Sequence, residues 1–192
     1  MDLFWSTFES NWGNMLLVSN HRGLVHITLP SSKNQQNVLE GFSKKKDHII
    51  THKENSILYQ TKKQLEEYFA GKSTHFNLPL HIEGTPFQTN VWNALRCIPF
   101  GTTWSYKKLA TFLDNPKAIR AVGNANNKNP LPIVLPCHRV IGSNGDLVGY
   151  AGGVELKKKL IAHEASTAQL EFGASGTTDL IEPRLSHITP QH

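Results

Sequence analysis

The sequence predicts an α+β fold: a small N-terminal α/β domain over residues 1–83, a mostly helical C-terminal domain over residues 84–165, and a flexible tail over 166–192. Three observations predict it. Short alternating apolar segments punctuated by turn residues open the chain, helix-period stripes with cap and stop signals fill its middle, and a stretch rich in Gly, Ser and Thr closes it. At 192 residues, 39% of them hydrophobic, the chain is long enough for one large or two small cores.

Taken in order, Phe4 to Glu9, Met15 to Ser19 and Gly23 to Leu29 read as strands of a meander, with turns at Asn11 to Asn14 and Asn20 to Gly23. Lys33 to Asn55 is polar and ambiguous. Ser56 to Phe69 carries Ile57, Leu58, Leu65, Tyr68 and Phe69 near helical period, and Gly71 can stop that helix. Composition changes around Leu78 to Pro86, where a boundary is expected. Thr85 can cap a helix with Pro86 at its first position, in which Phe87, Val91, Trp92 and Leu95 form the apolar stripe. Ser105 caps the next, with Leu109, Ala110, Phe112 and Leu113 inward. Asn115 and Pro116 then turn the chain into a third helix over Lys117 to Asn126. Two short helices joined by a tight turn have the shape of a helix-turn-helix, a pairing also common in small helical domains without any role on DNA.

The charge supports that shape. Residues 84 to 165 hold ten Lys and Arg against four Asp and Glu, whereas residues 1 to 83 hold nine against eight. A basic segment attracts polyanions, although a charge run is often only a solvated face. No apolar run reaches the length of a membrane helix, and the first twelve residues lack the pattern of a signal peptide, so a soluble, cytoplasmic protein is expected, with no membrane partner. Cys97 and Cys137 are the two cysteines and the histidines are scattered. Neither a disulfide framework nor a zinc spacing is present, so no metal and no cofactor are expected.

The segment with chemical character is Leu131 to Gly142, in which Pro136 delivers Cys137 beside His138 and Arg139. Cationic neighbours favour thiolate, the nucleophilic form, whereas a lone Cys is more often a small buried hydrophobe.

Pro136-Cys137-His138-Arg139-Val140 resembles the active-site motif of the O6-alkylguanine-DNA alkyltransferases, the methylated-DNA-protein-cysteine methyltransferases. Phe87 to Trp92, Ile98 to Gly101, Ser105-Tyr106 with Leu109-Ala110, Arg120 to Gly123, Asn129-Pro130 and Gly152-Gly153 through His163-Glu164 resemble the family's other blocks in order. The resemblance covers residues 85 to 164, while residues 1 to 83 match as the family's variable N-terminal domain. It implies a winged-helix-like form for the helix-turn-helix and a suicide reaction: Cys137 accepts the alkyl group of an O6-alkylguanine, activated through a water by His138, which Glu164 orients. Tyr106 would protonate the leaving base and Asn129 would be the hinge before the active-site strand. The implied partner is double-stranded DNA containing O6-alkylguanine, bound by a monomer, with O4-alkylthymine a further possible substrate. Arg120 would fill the space of the flipped nucleotide, and Ala121, Gly123, Ser105, Lys117 and Lys128 would contact DNA. Val148, Tyr150, Ala151 and Gly152 would line the base pocket. Ala151 departs from the Ser of many relatives, and losing that hydroxyl beside the base pocket would weaken a contact to O6 or change which alkyl groups fit.

Three other classes fit the sequence less well. Lesion-binding relatives lack the acceptor Cys, whereas Cys137 is present; alkylation-sensing regulators carry an extra domain absent here; and a Cys hydrolase needs an oxyanion hole for which the sequence offers no separate sign.

Overall fold

The computed structural model describes residues 1–30, 35–45 and 47–173. Strands β1 (Asp2–Ser10), β2 (Gly13–Ser19) and β3 (Leu24–Ile27) form the expected antiparallel meander. The ambiguous segment supplies α1 (Gln35–Ser43) and β4 (Ile49–His52), which pairs parallel to β1 and completes the order β3-β2-β1-β4. Neither element has a strong local signal: α1 has no fully buried residue, and β4 is largely exposed.

The central strand β2 is apolar without alternation because both its faces are covered. Met15 and Leu17 join the main core, while Leu16 and Val18 pack with Leu3 beneath Val38, Leu39 and Phe42 of α1. Helix α2 (Ser56–Phe69) covers the first face. Asn55 caps it by accepting from the Leu58 amide at 2.9 Å, and Gly71 ends it with φ +67°. The connection beyond α2 clings to β3: the Leu24 amide donates to the Pro79 carbonyl at 2.8 Å and the His81 amide to the Leu24 carbonyl at 2.9 Å. A Cβ on Gly23 would lie 2.6 Å from that Pro79 oxygen, so only glycine permits the approach.

Helix α3 (Pro86–Leu95) starts in a capping box, Thr85 and Gln88 each satisfying the other's backbone amide. Its Trp92 indole donates to the Ala125 carbonyl at 2.8 Å, fixing α3 against the helix-turn-helix made by α4 (Tyr106–Phe112) and α5 (Ile119–Asn127). Helix α5 begins two residues after the expected Lys117, because Asn115 to Ala118 form a turn closed by the Ala118 amide on the Asn115 carbonyl at 2.9 Å. Two short strands, β5 (Trp104–Ser105) and β6 (Val140–Ile141), pair in parallel and bring the start of α4 beside the segment that follows Cys137.

Helix α6 (Val154–Gly173) corrects the expected tail. Ser166 and Thr167 lie within it, both hydroxyls bonding back to the His163 carbonyl at 2.9 Å, and Thr167 is buried against Gly71. The rest of the expected tail, 174–192, lies outside the described residues. One apolar cluster runs from Phe8 and Met15 through α2, α3 and α5 to Leu160 of α6. Among the described residues no helix is long and apolar enough to cross a membrane.

Candidate active site

Every residue from Leu131 to Val140 is buried. The asparagines at the end of α5 hold this segment in place: Asn129 donates to the Leu135 carbonyl at 2.7 Å and accepts from the Leu131 amide at 3.0 Å, and Asn126 donates to the Cys137 carbonyl at 3.3 Å. Between them Ile133 adopts φ +76°, a strained conformation for a β-branched residue. The chain then enters a 3-10 turn, Cys137–Arg139, that places three adjacent side chains in the core.

The Cys137 thiol is 4% exposed. Burial pushes its pKa up to about 11, opposed by the Asn129 amide and by the Lys157 cation. In the resting site Cys137 is therefore a thiol that needs a base. The expectation that Arg139 favours thiolate is corrected by its geometry. Its Nε and Nη2 donate to the two oxygens of Glu164 at 2.8 and 3.0 Å, its Nη1 donates to the Ile98 carbonyl at 2.7 Å, and its guanidinium stacks on Phe100.

Glu164 is the centre of the network. Its Oε1 also accepts from His138 Nε2 at 2.7 Å and from the Tyr68 hydroxyl at 2.9 Å, and its Oε2 accepts from the Gly101 amide at 3.3 Å. Burial alone would raise the Glu164 pKa, but the hydrogen bonds and charges of His138 and Arg139 outweigh it and hold it at about 2. Burial pushes the His138 pKa down and Glu164 pulls the other way, with a net lowering. His138 is thus a neutral ring whose Nε2–H faces the carboxylate, leaving Nδ1, buried and without a protein partner, as the basic nitrogen.

The far wall is made by Tyr106, Tyr150 and Lys157. The Tyr106 hydroxyl donates to the Val148 carbonyl at 3.2 Å, and Lys157 Nζ donates to the same oxygen at 3.0 Å. Lys157 is 0% exposed, and burial lowers its pKa to about 8. Burial raises the Tyr106 phenol, and it raises that of Tyr150, whose hydroxyl has no protein partner, well above the ordinary value. Leu29, Asn126, Asn127, Asn129, Pro132, Cys137, Tyr150 and Ala151 enclose a cavity of about 20 Å³ at the thiol. It adjoins a groove of about 960 Å³ that extends past Gly152 to Trp12 and His26.

The expected site residues thus fall into two sets. Cys137, His138, Glu164, Tyr106, Asn129, Tyr150 and Ala151 surround the thiol or its network, with Gly152 on the adjoining groove and Val148 contributing its carbonyl. Lys117, Arg120, Ala121 and Lys128 lie exposed on the helix-turn-helix, where Ser105 caps α4 by accepting from the Lys108 amide at 3.0 Å. Gly123 joins the sets, since a Cβ there would sit 3.8 Å from the Tyr106 ring. Sequence reasoning missed the site roles of Tyr68, Leu29, Asn126 and Lys157. For Lys157 a signal existed: with Leu160 and Glu164 it makes a buried stripe at spacings of three and four on α6, an unusual place for a lysine.

Residues 86–166 match the family model described as 6-O-methylguanine DNA methyltransferase, DNA binding domain, and residues 3–82 match that of its ribonuclease-like domain. The chain is 41% identical to a methylated-DNA--protein-cysteine methyltransferase of Methanosarcina acetivorans over 85% of this chain and 99% of that one. Its fold is similar to the crystal structure of the Mycobacterium tuberculosis O6-methylguanine methyltransferase, with a TM-score of 0.74 and 34% identity over 89% of this chain and 99% of that one. A crystal structure of the M. tuberculosis OGT in complex with DNA aligns with a TM-score of 0.71 and 34% identity, over 87% and 94% of the two chains. With family models matched over residues 3–82 and 86–166 and a relative matched along nearly its whole length, this chain belongs to the 6-O-methylguanine DNA methyltransferase family.

Proposed function

We propose that this protein repairs alkylated DNA by direct reversal, moving the alkyl group of an O6-alkylguanine onto Cys137 once per molecule. The observation that carries this reading is one buried turn that holds Cys137 next to a neutral histidine, whose Nδ1 has no protein partner and whose other nitrogen is held by Glu164. That is the nucleophile, base and orienter arrangement of a triad.

The Cys137 proton passes through one bridging water to His138 Nδ1, and the sulfur attacks the alkyl carbon. A C–S bond forms, the C–O6 bond breaks, and the electron pair leaves with the base. Tyr106 gives its hydroxyl proton to the base nitrogen and regains one from the imidazolium, so the thiol proton ends on guanine. The product is a thioether, which water does not cleave at neutral pH, so turnover stops at one.

A guanine inside a duplex is out of reach of a buried thiol and must be flipped. Arg120, Ala121, Lys117 and Lys128 are exposed on and beside α5, as a helix laid against DNA needs, and the small residues Ala121 and Gly123 permit close approach. The small cavity at the thiol opens onto the groove of about 960 Å³, and that groove is the side from which a flipped base would approach. In this reading residues 84–165 carry the chemistry, residues 1–83 support them, and the protein acts inside the cell as a monomer.

Intact mass spectrometry after incubation with an O6-methylguanine oligonucleotide tests this. The wild type should gain one methyl group, about 14 Da, on a peptide containing Cys137, stopping at one equivalent, and Cys137→Ala should gain nothing. Lesion binding without a mass gain would make the protein a lesion sensor instead. O4-methylthymine in place of the lesion reads the substrate range.

A further inference from the structure

The catalytic carboxylate is reached from the half of the chain not expected to take part in chemistry. Tyr68 lies in α2, 96 residues before Glu164, and donates its hydroxyl to Glu164 Oε1 at 2.9 Å in a buried environment. This is the same oxygen that accepts from His138 Nε2 at 2.7 Å and from Arg139 Nη2 at 3.0 Å. Tyr68 is itself held: it is 1% exposed, its ring packs against Phe69, Phe76, Phe100 and His163, and its carbonyl oxygen lies 2.8 Å from His163 Nε2. A phenol fixed on that oxygen shares the charge that would otherwise act on the histidine.

We propose that Tyr68 is a positioning residue of the transfer reaction, whose hydroxyl competes with His138 for Glu164 Oε1 and thereby sets the pH at which His138 becomes a free base. The proposal rests on the reading of His138 as the base for Cys137. The groups that bear on the histidine are Glu164 and Lys157 from α6, and Cys137 and Arg139 from its own turn. Those that bear on Glu164 are Tyr68 from α2, Tyr150 from the loop before α6, and His138 and Arg139, with His163 behind Tyr68. Burial and the two cations oppose protonation of His138, and Glu164 alone favours it. A donor that draws on Glu164 therefore holds the ring neutral to lower pH. Removing the hydroxyl strengthens the pull of Glu164 and raises the histidine pKa, whereas a more acidic phenol lowers it.

The test uses the full chain as wild type, as Tyr68→Phe, and with 3-fluorotyrosine placed at position 68. Ring nitrogen chemical shifts give the His138 titration by NMR without any need for transfer, and mass-quenched single-turnover kinetics give the pH profile of methylation. Tyr68→Phe should shift the His138 titration and the acid limb of the rate up by about 0.5 to 1 pH unit, a 3- to 10-fold slower reaction below the limb with the plateau within about twofold. The fluorinated protein should shift both the other way. A purely structural Tyr68 would change thermal stability and leave the titration in place, and coincident titrations in all three proteins overturn the proposal. If the wild type gains no methyl group, the transfer reading fails, while the histidine titration still decides the role of Tyr68.

Discussion

Glu164 accepts hydrogen bonds from Tyr68, Gly101, His138 and Arg139, so one carboxylate both fixes the His138 ring and neutralises a buried guanidinium. Glu164→Gln removes the charge that Arg139 faces and presents it with an amide. Breaking a buried pair leaves an uncompensated charge, and the variant should unfold with about 3–5 kcal/mol less stability in urea and lose transfer as well. In the proposed reaction Tyr106 acts on the other side. Tyr106→Phe keeps the ring against Gly123 but offers no proton, so the single-turnover rate should fall about 100-fold while affinity for the lesion duplex stays within a few fold. At this scale the sequence displayed Cys137, His138 and Glu164 through their motif, and it displayed Arg139 without its partner. Tyr68 was hidden because no local pattern links residues 96 positions apart, and within α2 it reads as one more apolar contact.

The elements that hold these side chains rest on a few local devices. Thr85 and Gln88 box the start of α3, which carries Trp92 onto α5, and Thr85→Ala should lower stability by about 1 kcal/mol in urea unfolding. Gly101 is more demanding. It adopts φ +72°, a Cβ there would stand 2.8 Å from the Ala168 Cβ, and its amide reaches Glu164. Gly101→Ala combines backbone strain with a clash against α6 and should lower stability by about 1–3 kcal/mol, a loss readable in the same titration. Helices α2, α3 and α4 were legible because each carries an apolar stripe and ends on a turn signal, and α3 and α4 also begin with the capping residues Thr85 and Ser105, whereas the Asn55 cap of α2 was not read. The start of α5 was misplaced because Pro116 was read as the end of the turn, whereas the turn continues to Ala118, which offers no side-chain cap. Strand β4 was missed where β2 was legible: it lies at the sheet edge, exposed, with no face that burial forces to be apolar. The end of the C-terminal helix was missed because Ser and Thr signal a loop when exposed, but here they bond back into α6.

For the whole molecule, the buried ionisable groups set the response to pH. His26 and His138 have folded pKa values below 6.5, that of His26 at about 4, so as pH falls the unfolded chain binds their protons first and stability drops from pH 6.5 downward. Glu164 has a folded pKa of about 2 against 4.5, so its contribution is present above 4.5 and is lost between there and 2. Urea midpoints should therefore decline in two successive stages below neutrality, and Glu164→Gln should remove the second. The basic face belongs to the same scale: Arg120→Ala should weaken binding of lesion-bearing duplex in a salt titration without changing the fold. The charge excess of residues 84–165 made that face legible, whereas the continuity of the core across both halves was not, since it depends on long-range packing of α2 against α6 and the sheet. Placing the acceptor ahead of α6 has a consequence for biosynthesis. A ribosome delivers Cys137 before it delivers Glu164, and the carboxylate can orient His138 only when α6 docks beside α2 and the turn that follows α3. In the proposed reaction the group that orients the base is thus synthesised after the acceptor, and an incomplete chain that ends short of Glu164 would carry Cys137 without that carboxylate.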